Sequence, residues 1–131
     1  MVTVTITVIE ARKLRDVQIL GIQDPFVIIS TDKESRQTKT DNNGGTRPYW
    51  NDVKTLNCRN YEGVLVFKIM NKNIIKDSEI DSGTLSMPKI ASYGGYIDTW
   101  VPLASGGELH VIVKLDNCKN VVGVLYFSCG S

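Results

Sequence analysis

Several residue types are scarce in this chain, and each scarcity excludes a class of protein. There is one histidine, and the three cysteines form no Cys-x-x-Cys pair, so no zinc site is predicted, because zinc needs several Cys or His ligands. No apolar run approaches the roughly 18 residues of a membrane-spanning helix. Basic and acidic residues nearly balance at 15 and 14, which argues against a broad basic face for nucleic acid.

The cysteines and the N-terminal segment point to an intracellular protein. Cys58, Cys118 and Cys129 are odd in number and widely spaced, so we expect reduced thiols. The first residues alternate apolar with polar and lack the basic and continuous apolar regions of a signal peptide. We therefore predict a cytoplasmic location and membrane contact of a peripheral kind only.

The residues needed for catalysis do not form a recognisable arrangement. His110 lies in a segment of alternating residues, and the alternation places it on the other face of the strand from Leu109, Val111 and Val113. We therefore expect its side chain to be exposed. A catalytic base must reach a nucleophile by a hydrogen bond, and no Gly-x-Ser-x-Gly or phosphate-loop pattern accompanies this histidine. The protein is predicted not to be an enzyme.

Short segments of alternating apolar and polar residues recur throughout the chain. Gly and Pro turn signals separate them. The candidate strands are 2–8, 26–29, 36–40, 50–56, 64–70, 83–87, 97–103, 109–115 and 122–128. A short helical turn is the alternative considered for 73–81. A chain of 131 residues has room for one core, so we predict a single all-β domain over 1–131, an antiparallel sandwich or barrel.

Two long connections, 15–24 and 71–82, have apolar centres. One contains Ile-Leu-Gly-Ile at 19–22, and the other contains Ile-Ile at 74–75. Loops are normally polar, and long loops on a rigid scaffold commonly carry function. Both connections are therefore candidate binding segments.

Three segments resemble the C2 domain, the second conserved region of protein kinase C. They are Val-Ile-Glu-Ala-Arg-Lys-Leu (8–14), Gly-Ile-Gln-Asp-Pro-Phe-Val (21–27) and Gly-Thr-Arg-Pro-Tyr-Trp-Asn-Asp (45–52). The tail at 122–128 is similar to the small, plant-type, stand-alone branch of that family. The resemblance implies an eight-stranded antiparallel β-sandwich of two sheets, with Trp50 in the core and Asp24 forming the turn before Pro25.

The resemblance also locates the positions at which family members bind calcium with five aspartates. Those positions are Gln18, Asp24, Asn71, Asn73 and Glu79. Calcium takes six to eight hard oxygen ligands, mostly charged, and only Asp24 and Glu79 are acidic here. We predict a degenerate calcium site that is not occupied at cellular concentrations, and no other cofactor. Weak calcium-dependent lipid binding remains an alternative.

In the family, the two long loops lie side by side and contact membranes. The candidate contacts here are Ile19, Leu20, Ile22, Lys72, Ile74, Ile75 and Lys76. The alternative is that some isoleucines fold back to plug the end of the core. We expect this for Ile22 and Ile74, whereas both orientations remain open for the other apolar side chains.

A second family site, a lysine-rich concave face that binds inositol phosphate headgroups, is poorly matched. Ile28 and Ser30 stand where lysines occur. The candidate headgroup residues are Lys33, Arg36, Lys39 and Arg47, and a solvated face is the plainer interpretation. The predicted function is calcium-independent docking to anionic phospholipid membranes. The alternative is a protein-interaction module, and no nucleic-acid partner is expected.

Overall fold

The computed structural model describes residues 1–120 and 127–129 of the chain. The strands are β1 (Val2–Arg12), β2 (Pro25–Ser30), β3 (Ser35–Gln37), β4 (Tyr49–Cys58), β5 (Val64–Asn71), β6 (Ser78–Ser86), β7 (Tyr96–Pro102), β8 (Glu108–Leu115), β9 (Cys118–Asn120) and β10 (Phe127–Cys129), and helix α1 (Met87–Ser92) joins β6 to β7.

Eight of these strands form two four-stranded antiparallel sheets. The first sheet has the order β4-β1-β8-β7, the second has the order β3-β2-β5-β6, and β9 pairs with β10 in a separate hairpin. The core lies between the two sheets. The predicted all-β sandwich of eight strands in two sheets is confirmed.

Alternation along the strands determines which side chains enter the core. Val4, Ile6 and Val8 of β1 are fully buried, because successive side chains on a strand point to opposite faces. Trp50 is 1% exposed, and its Nε1 donates a hydrogen bond to the carbonyl oxygen of Pro25 at 2.9 Å. The predicted core role of Trp50 is confirmed, and the ring ties the start of β4 to the start of β2.

The strand predicted at 83–87 has other bounds in the structure, and the helical turn considered for 73–81 is not formed. The strand expected at 83–87 begins earlier, at Ser78, and Met87 is the first residue of α1. The side chain of Ser86 caps this helix by accepting a hydrogen bond from the Lys89 backbone, and a proline in the first turn is compatible with a helix start. Residues 73–77 are not helical. Of the strand expected at 122–128, only 127 and 128 lie within the described residues.

The expectation of three reduced thiols is also wrong. Cys118 and Cys129 form a disulfide and are direct partners across the β9–β10 pair. A separation of 11 residues did not reveal this pair, because only the register of the hairpin brings the two side chains together. Cys58 is a free, buried thiol, and burial raises its pKa.

Three connections emerge at the same end of the sandwich. We call residues 13–24 the first loop, 38–48 the second loop and 72–77 the third loop, and the three together the loop end. The Lys72 backbone N–H donates to the Asp24 carbonyl at 2.9 Å, and the Gly45 N–H donates to the Gln23 carbonyl at 3.1 Å. Main-chain hydrogen bonds therefore hold the first loop against both others.

Candidate functional site

The loop end presents large aliphatic side chains to solvent. Relative exposure is 96% for Ile19, 81% for Leu20, 56% for Ile22, 103% for Ile74 and 98% for Ile75. The expectation that Ile22 and Ile74 fold back into the core is therefore wrong. Apolar residues on loop tips are unusual, and a concentration of them marks an interaction surface.

Two buried amides, rather than isoleucines, occupy the core side of the loop end. Gln23 and Asn71 are each 1% exposed. The Gln23 side chain accepts a hydrogen bond from the Val17 N–H at 3.1 Å and donates to the carbonyls of Arg15 at 3.1 Å and Gly45 at 2.8 Å. A buried polar group must be hydrogen-bonded to avoid a desolvation cost, and here these bonds join the first and second loops.

Asn71 joins the first loop to the third. Its Oδ1 accepts a hydrogen bond from the Asp24 N–H at 2.8 Å. Its Nδ2 donates to Gln18 Oε1 at 2.7 Å and, at 3.4 Å, to Asn73 Oδ1. Four of the five positions that the resemblance assigned to calcium are thus close together, and amide hydrogen bonds connect them.

The two acidic residues among those five positions have different surroundings. Asp24 Oδ1 accepts a hydrogen bond from the Asn43 N–H at 2.7 Å, as suits a residue that forms a turn. Glu79 lies on β6, with its carboxylate 3.8 Å from Lys68 Nζ. Within residues 1–120 and 127–129, no three His, Cys, Asp or Glu side chains are grouped closely enough to hold one metal ion.

The two lysines of the third loop are placed differently. Lys72 Nζ lies 3.6 Å from Asp77 Oδ2 and 5.8 Å from the centre of the Phe26 ring, so this side chain turns back toward the protein. Lys76 is exposed and makes no ion pair with another described residue. Asn73 shapes the loop between them by donating to the Lys76 carbonyl at 3.0 Å.

Two open cavities lie beside the exposed aliphatic side chains of the loop end. A cavity of about 520 Å³ is bordered by Ile74, Ile75 and Lys76 on one side and by Gln18 and Asp24 on the other. A second, of about 390 Å³, lies beside Ile19 and Leu20. The first loop therefore ends in one apolar tip, Ile19–Ile22, and the third loop in another, Ile74–Ile75, and polar side chains of Gln18 and Asn73 line the cavities beside them.

The four candidate headgroup residues do not form one patch. All are exposed, but Lys33 lies in the turn between β2 and β3, whereas Arg47 lies in the second loop at the opposite end of β2. The six residues of β2 separate these ends by roughly 16 Å at about 3.3 Å per residue. Arg36 is paired with Glu34 at 3.4 Å.

His110 lies on the outer face of the first sheet, as predicted. Its Nε2 is 2.6 Å from Asp98 Oδ1, and its ring stacks on Trp100 with centroids 4.9 Å apart. The guanidinium of Arg12 lies over the Trp100 ring, 3.8 Å from its centre, and the hydrogen bond from Arg12 to Glu108 lowers the pKa of that carboxyl. The histidine is packed into a surface stack and is only partly exposed.

The sandwich and its loop end can be compared with known proteins. The family model for the C2 domain matches residues 2–103. The chain belongs to the C2 domain family. Membership places it among lipid- and membrane-binding modules in general terms. Among the described residues of this C2 domain, no helix has the length and apolar character needed to cross a bilayer.

Individual relatives support the same family and fold. The chain is 33% identical over 92 residues to Protein SRC2 homolog of Arabidopsis thaliana, which covers 63% of this chain but only 28% of that protein's length. A structure of two C2 domains of Extended-Synaptotagmin 2 matches 87% of this chain and 40% of its own at 22% identity and a TM-score of 0.76. A C2 domain of a plant Extended Synaptotagmin 1 matches 86% of this chain and 92% of its own at 20% identity and a TM-score of 0.74.

Sequence reasoning did not find the role of Gln23. A glutamine just before an Asp-Pro turn is expected to be a solvent-exposed loop residue, and only the tertiary structure shows that it is buried. The sequence singled out Asn71 as a lost calcium ligand and did not predict its role as the link between two loops. An amide at the end of an apolar strand is the signal from which that role could have been inferred.

Proposed function

We propose that this C2 domain is a non-catalytic module that docks peripherally to phospholipid membranes without requiring calcium. The observation that carries the proposal is the set of five large aliphatic side chains at the loop end, all of them at least 56% exposed. The residues proposed to contact the membrane are Ile19, Leu20, Ile22, Lys72, Ile74, Ile75 and Lys76.

The energetics of insertion favour such docking. Burying a large aliphatic side chain stabilises by roughly 1.5–3 kcal/mol, so three inserted side chains supply several kcal/mol before ordering costs. A lysine close to an anionic leaflet adds about 1 kcal/mol, and Lys76 is placed to do so. Anionic phospholipid is therefore the proposed partner surface, with apolar insertion as the larger contribution.

The donor set at the loop end does not fit calcium. The Nδ2 group of Asn71 presents hydrogens, not lone pairs, to Gln18 Oε1, and Asp24 Oδ1 already accepts a backbone hydrogen bond. Calcium takes six to eight oxygen ligands and gains affinity from ligand charge. These amide bonds connect the first and third loops without a metal, which supports calcium-independent docking.

We propose the cytoplasmic surface of a membrane as the place of action. Disulfides are rare in reducing compartments, so the oxidation state of the Cys118–Cys129 pair in cells bears directly on this location. Alkylation of freshly lysed cells followed by mass spectrometry measures it. A fully oxidised pair in every cellular fraction would point instead to an oxidising compartment.

Vesicle binding by a triple variant tests the docking proposal. Ile19→Ser, Leu20→Ser and Ile75→Ser together remove much of the apolar surface of both tips, and we expect binding to fall sharply in the presence of chelator. The matched control changes three exposed apolar residues away from the tips, Val53→Ser, Val64→Ser and Tyr93→Ser. Equal binding by both variants and the original chain would refute the proposal, and binding that needs calcium would refute its calcium-independent part.

The outer face of the first sheet supports a second candidate function, binding of a protein partner. Tyr49 and Tyr96 are 58% and 55% exposed and lie in the same sheet as Trp100, whose ring Arg12 covers. Tyr, Trp and Arg are the residues that dominate protein interfaces. Capture of a partner that is lost in Trp100→Ser but kept in the loop-tip triple variant would favour this function.

A further inference from the structure

We infer that the loop end selects membranes by loose packing of the acyl chains more than by negative headgroup charge, an inference that rests on the proposed membrane docking. The first observation is the charge of the two tips. The first and third loops, residues 13–24 and 72–77, carry four basic and three acidic side chains. They are Lys13, Arg15, Lys72 and Lys76, and Asp16, Asp24 and Asp77. The net charge of the two loops is only +1, which attracts an anionic leaflet weakly.

Three of the four basic side chains are already engaged. Lys13 Nζ lies 3.5 Å from Glu108 Oε1. Arg15 Nε donates to the Ile80 carbonyl at 2.6 Å, which holds the guanidinium against β6. Lys72 lies beside Asp77 at 3.6 Å. Lys76 is left as the basic group best placed to meet a lipid phosphate. A single lysine near an anionic leaflet changes affinity by about fivefold, so charge selection by this surface is weak.

The apolar residues of the tips are all aliphatic. Residues 15–24 and 72–79 contain no Trp, Tyr or Phe, the first two of which anchor proteins among the headgroups. An aliphatic side chain has no polar group that could stay among the headgroups. Its insertion therefore lowers the free energy only where the side chain reaches the acyl chains, and this holds for Ile19, Leu20, Ile74 and Ile75. Insertion of this kind depends on membrane curvature and lipid composition. Both determine how loosely the acyl chains pack, and therefore how many gaps can admit the side chains.

The tips are also held in place before they meet a membrane. Gln23 bonds the first loop to Gly45 at 2.8 Å, and Asn71 bonds Gln18 at 2.7 Å. A tip that is already ordered loses little conformational freedom on insertion, because binding costs come partly from ordering of loops. Both apolar tips therefore meet the bilayer together as one rigid pair, and the packing of the acyl chains determines whether they insert.

A two-by-two vesicle experiment with the full chain tests the inference. Phosphatidylcholine vesicles are made with tightly packed palmitoyl-oleoyl chains or loosely packed dioleoyl chains, each with and without phosphatidylserine. Flotation gives the partition coefficient. We expect phosphatidylserine to raise the partition coefficient by about fivefold at most and loose packing to raise it by a larger factor. Lys76→Gln is expected to remove the gain from phosphatidylserine and to leave the gain from loose packing.

The outcomes separate this inference from the docking proposal. A larger gain from phosphatidylserine than from loose packing overturns the inference and leaves membrane docking in place. No binding to any vesicle, or binding that the Ile19→Ser, Leu20→Ser and Ile75→Ser variant retains in full, overturns both. A larger gain from loose packing that disappears in that triple variant supports both.

Discussion

Asn71 Nδ2 donates a hydrogen bond to Gln18 Oε1 at 2.7 Å, across the gap between the third and first loops. The same side chain accepts from the Asp24 N–H at 2.8 Å. Two neutral amides therefore make a direct link at positions where the family resemblance implies paired carboxylates around a metal. This link allows the apolar tips to be held in position by the protein alone.

Removing the Asn71 side chain should loosen the loop end. Asn71→Ala leaves the Asp24 N–H and Gln18 Oε1, both in half-buried residues, without these partners, and each lost hydrogen bond costs about 0.5–1.5 kcal/mol. Urea denaturation measures the loss. Asn42→Ala, at an exposed position of the second loop, is the matched control and should change stability by no more than about 0.5 kcal/mol. Similar small effects of both substitutions would show that the link does not stabilise the fold.

Calcium should leave the melting temperature of the original chain nearly unchanged. A variant with Gln18→Asp, Asn71→Asp and Asn73→Asp restores the missing charge, so calcium should stabilise it by about 2.7 kcal/mol at a hundredfold excess over Kd. Differential scanning calorimetry with calcium and with chelator measures both proteins. A rise of many degrees in the original chain, reversed by chelator, would contradict the prediction.

Reduction of the Cys118–Cys129 disulfide should destabilise the protein. Disulfides typically contribute about 2–4 kcal/mol, and we expect reductant to lower the denaturation midpoint accordingly. Cys129→Ser should show the lower midpoint with or without reductant. Alkylation of the unfolded, unreduced chain should label Cys58 alone. Labelling of all three cysteines before any reductant is added would be inconsistent with the bridge.

Gly95→Ala should cost more stability than Gly106→Ala. Both glycines have positive φ, at 87° and 98°, so alanine pays a similar backbone cost of about 1–2 kcal/mol at each. A Cβ at 95 would overlap Cys118 Sγ, whereas one at 106 would meet nothing within 4 Å. The difference in unfolding free energy isolates the packing of the disulfide on Gly95. Equal losses would mean that the hairpin does not pack there.

Stability should fall at alkaline pH. Burial raises the pKa of both the Cys58 thiol and the Tyr61 hydroxyl, so the folded state holds these protons more tightly than the unfolded state. Their contribution is complete below about pH 9, the ordinary pKa of a thiol, and is lost as pH rises through the folded values. Urea midpoints measured from neutral to strongly alkaline pH test this. Cys58→Ala should flatten the early part of the decline, and an identical profile would exclude Cys58 as its cause.

The outline of the fold could be read from the sequence. Segments such as 2–8 alternate apolar with polar residues because one face of each strand is buried. This local pattern predicted the strands in the correct order. The Asp-Pro turn at Asp24 and the Trp50 corner identified the family. The loss of charge at Gln18, Asn71 and Asn73 was equally visible, because it depends only on which residue occupies each position.

Other features were decided by contacts between distant parts of the chain. Ile22 and Ile74 were expected to plug the core, yet Gln23 and Asn71 fill that place, because their hydrogen bonds to other loops make burial of an amide favourable. The Cys118–Cys129 bridge depends on the register of a hairpin, which cysteine spacing does not encode. Residue type determined the charge, polarity and hydrogen-bonding groups at each position. The tertiary structure determined which of these groups are in contact and which remain in solvent.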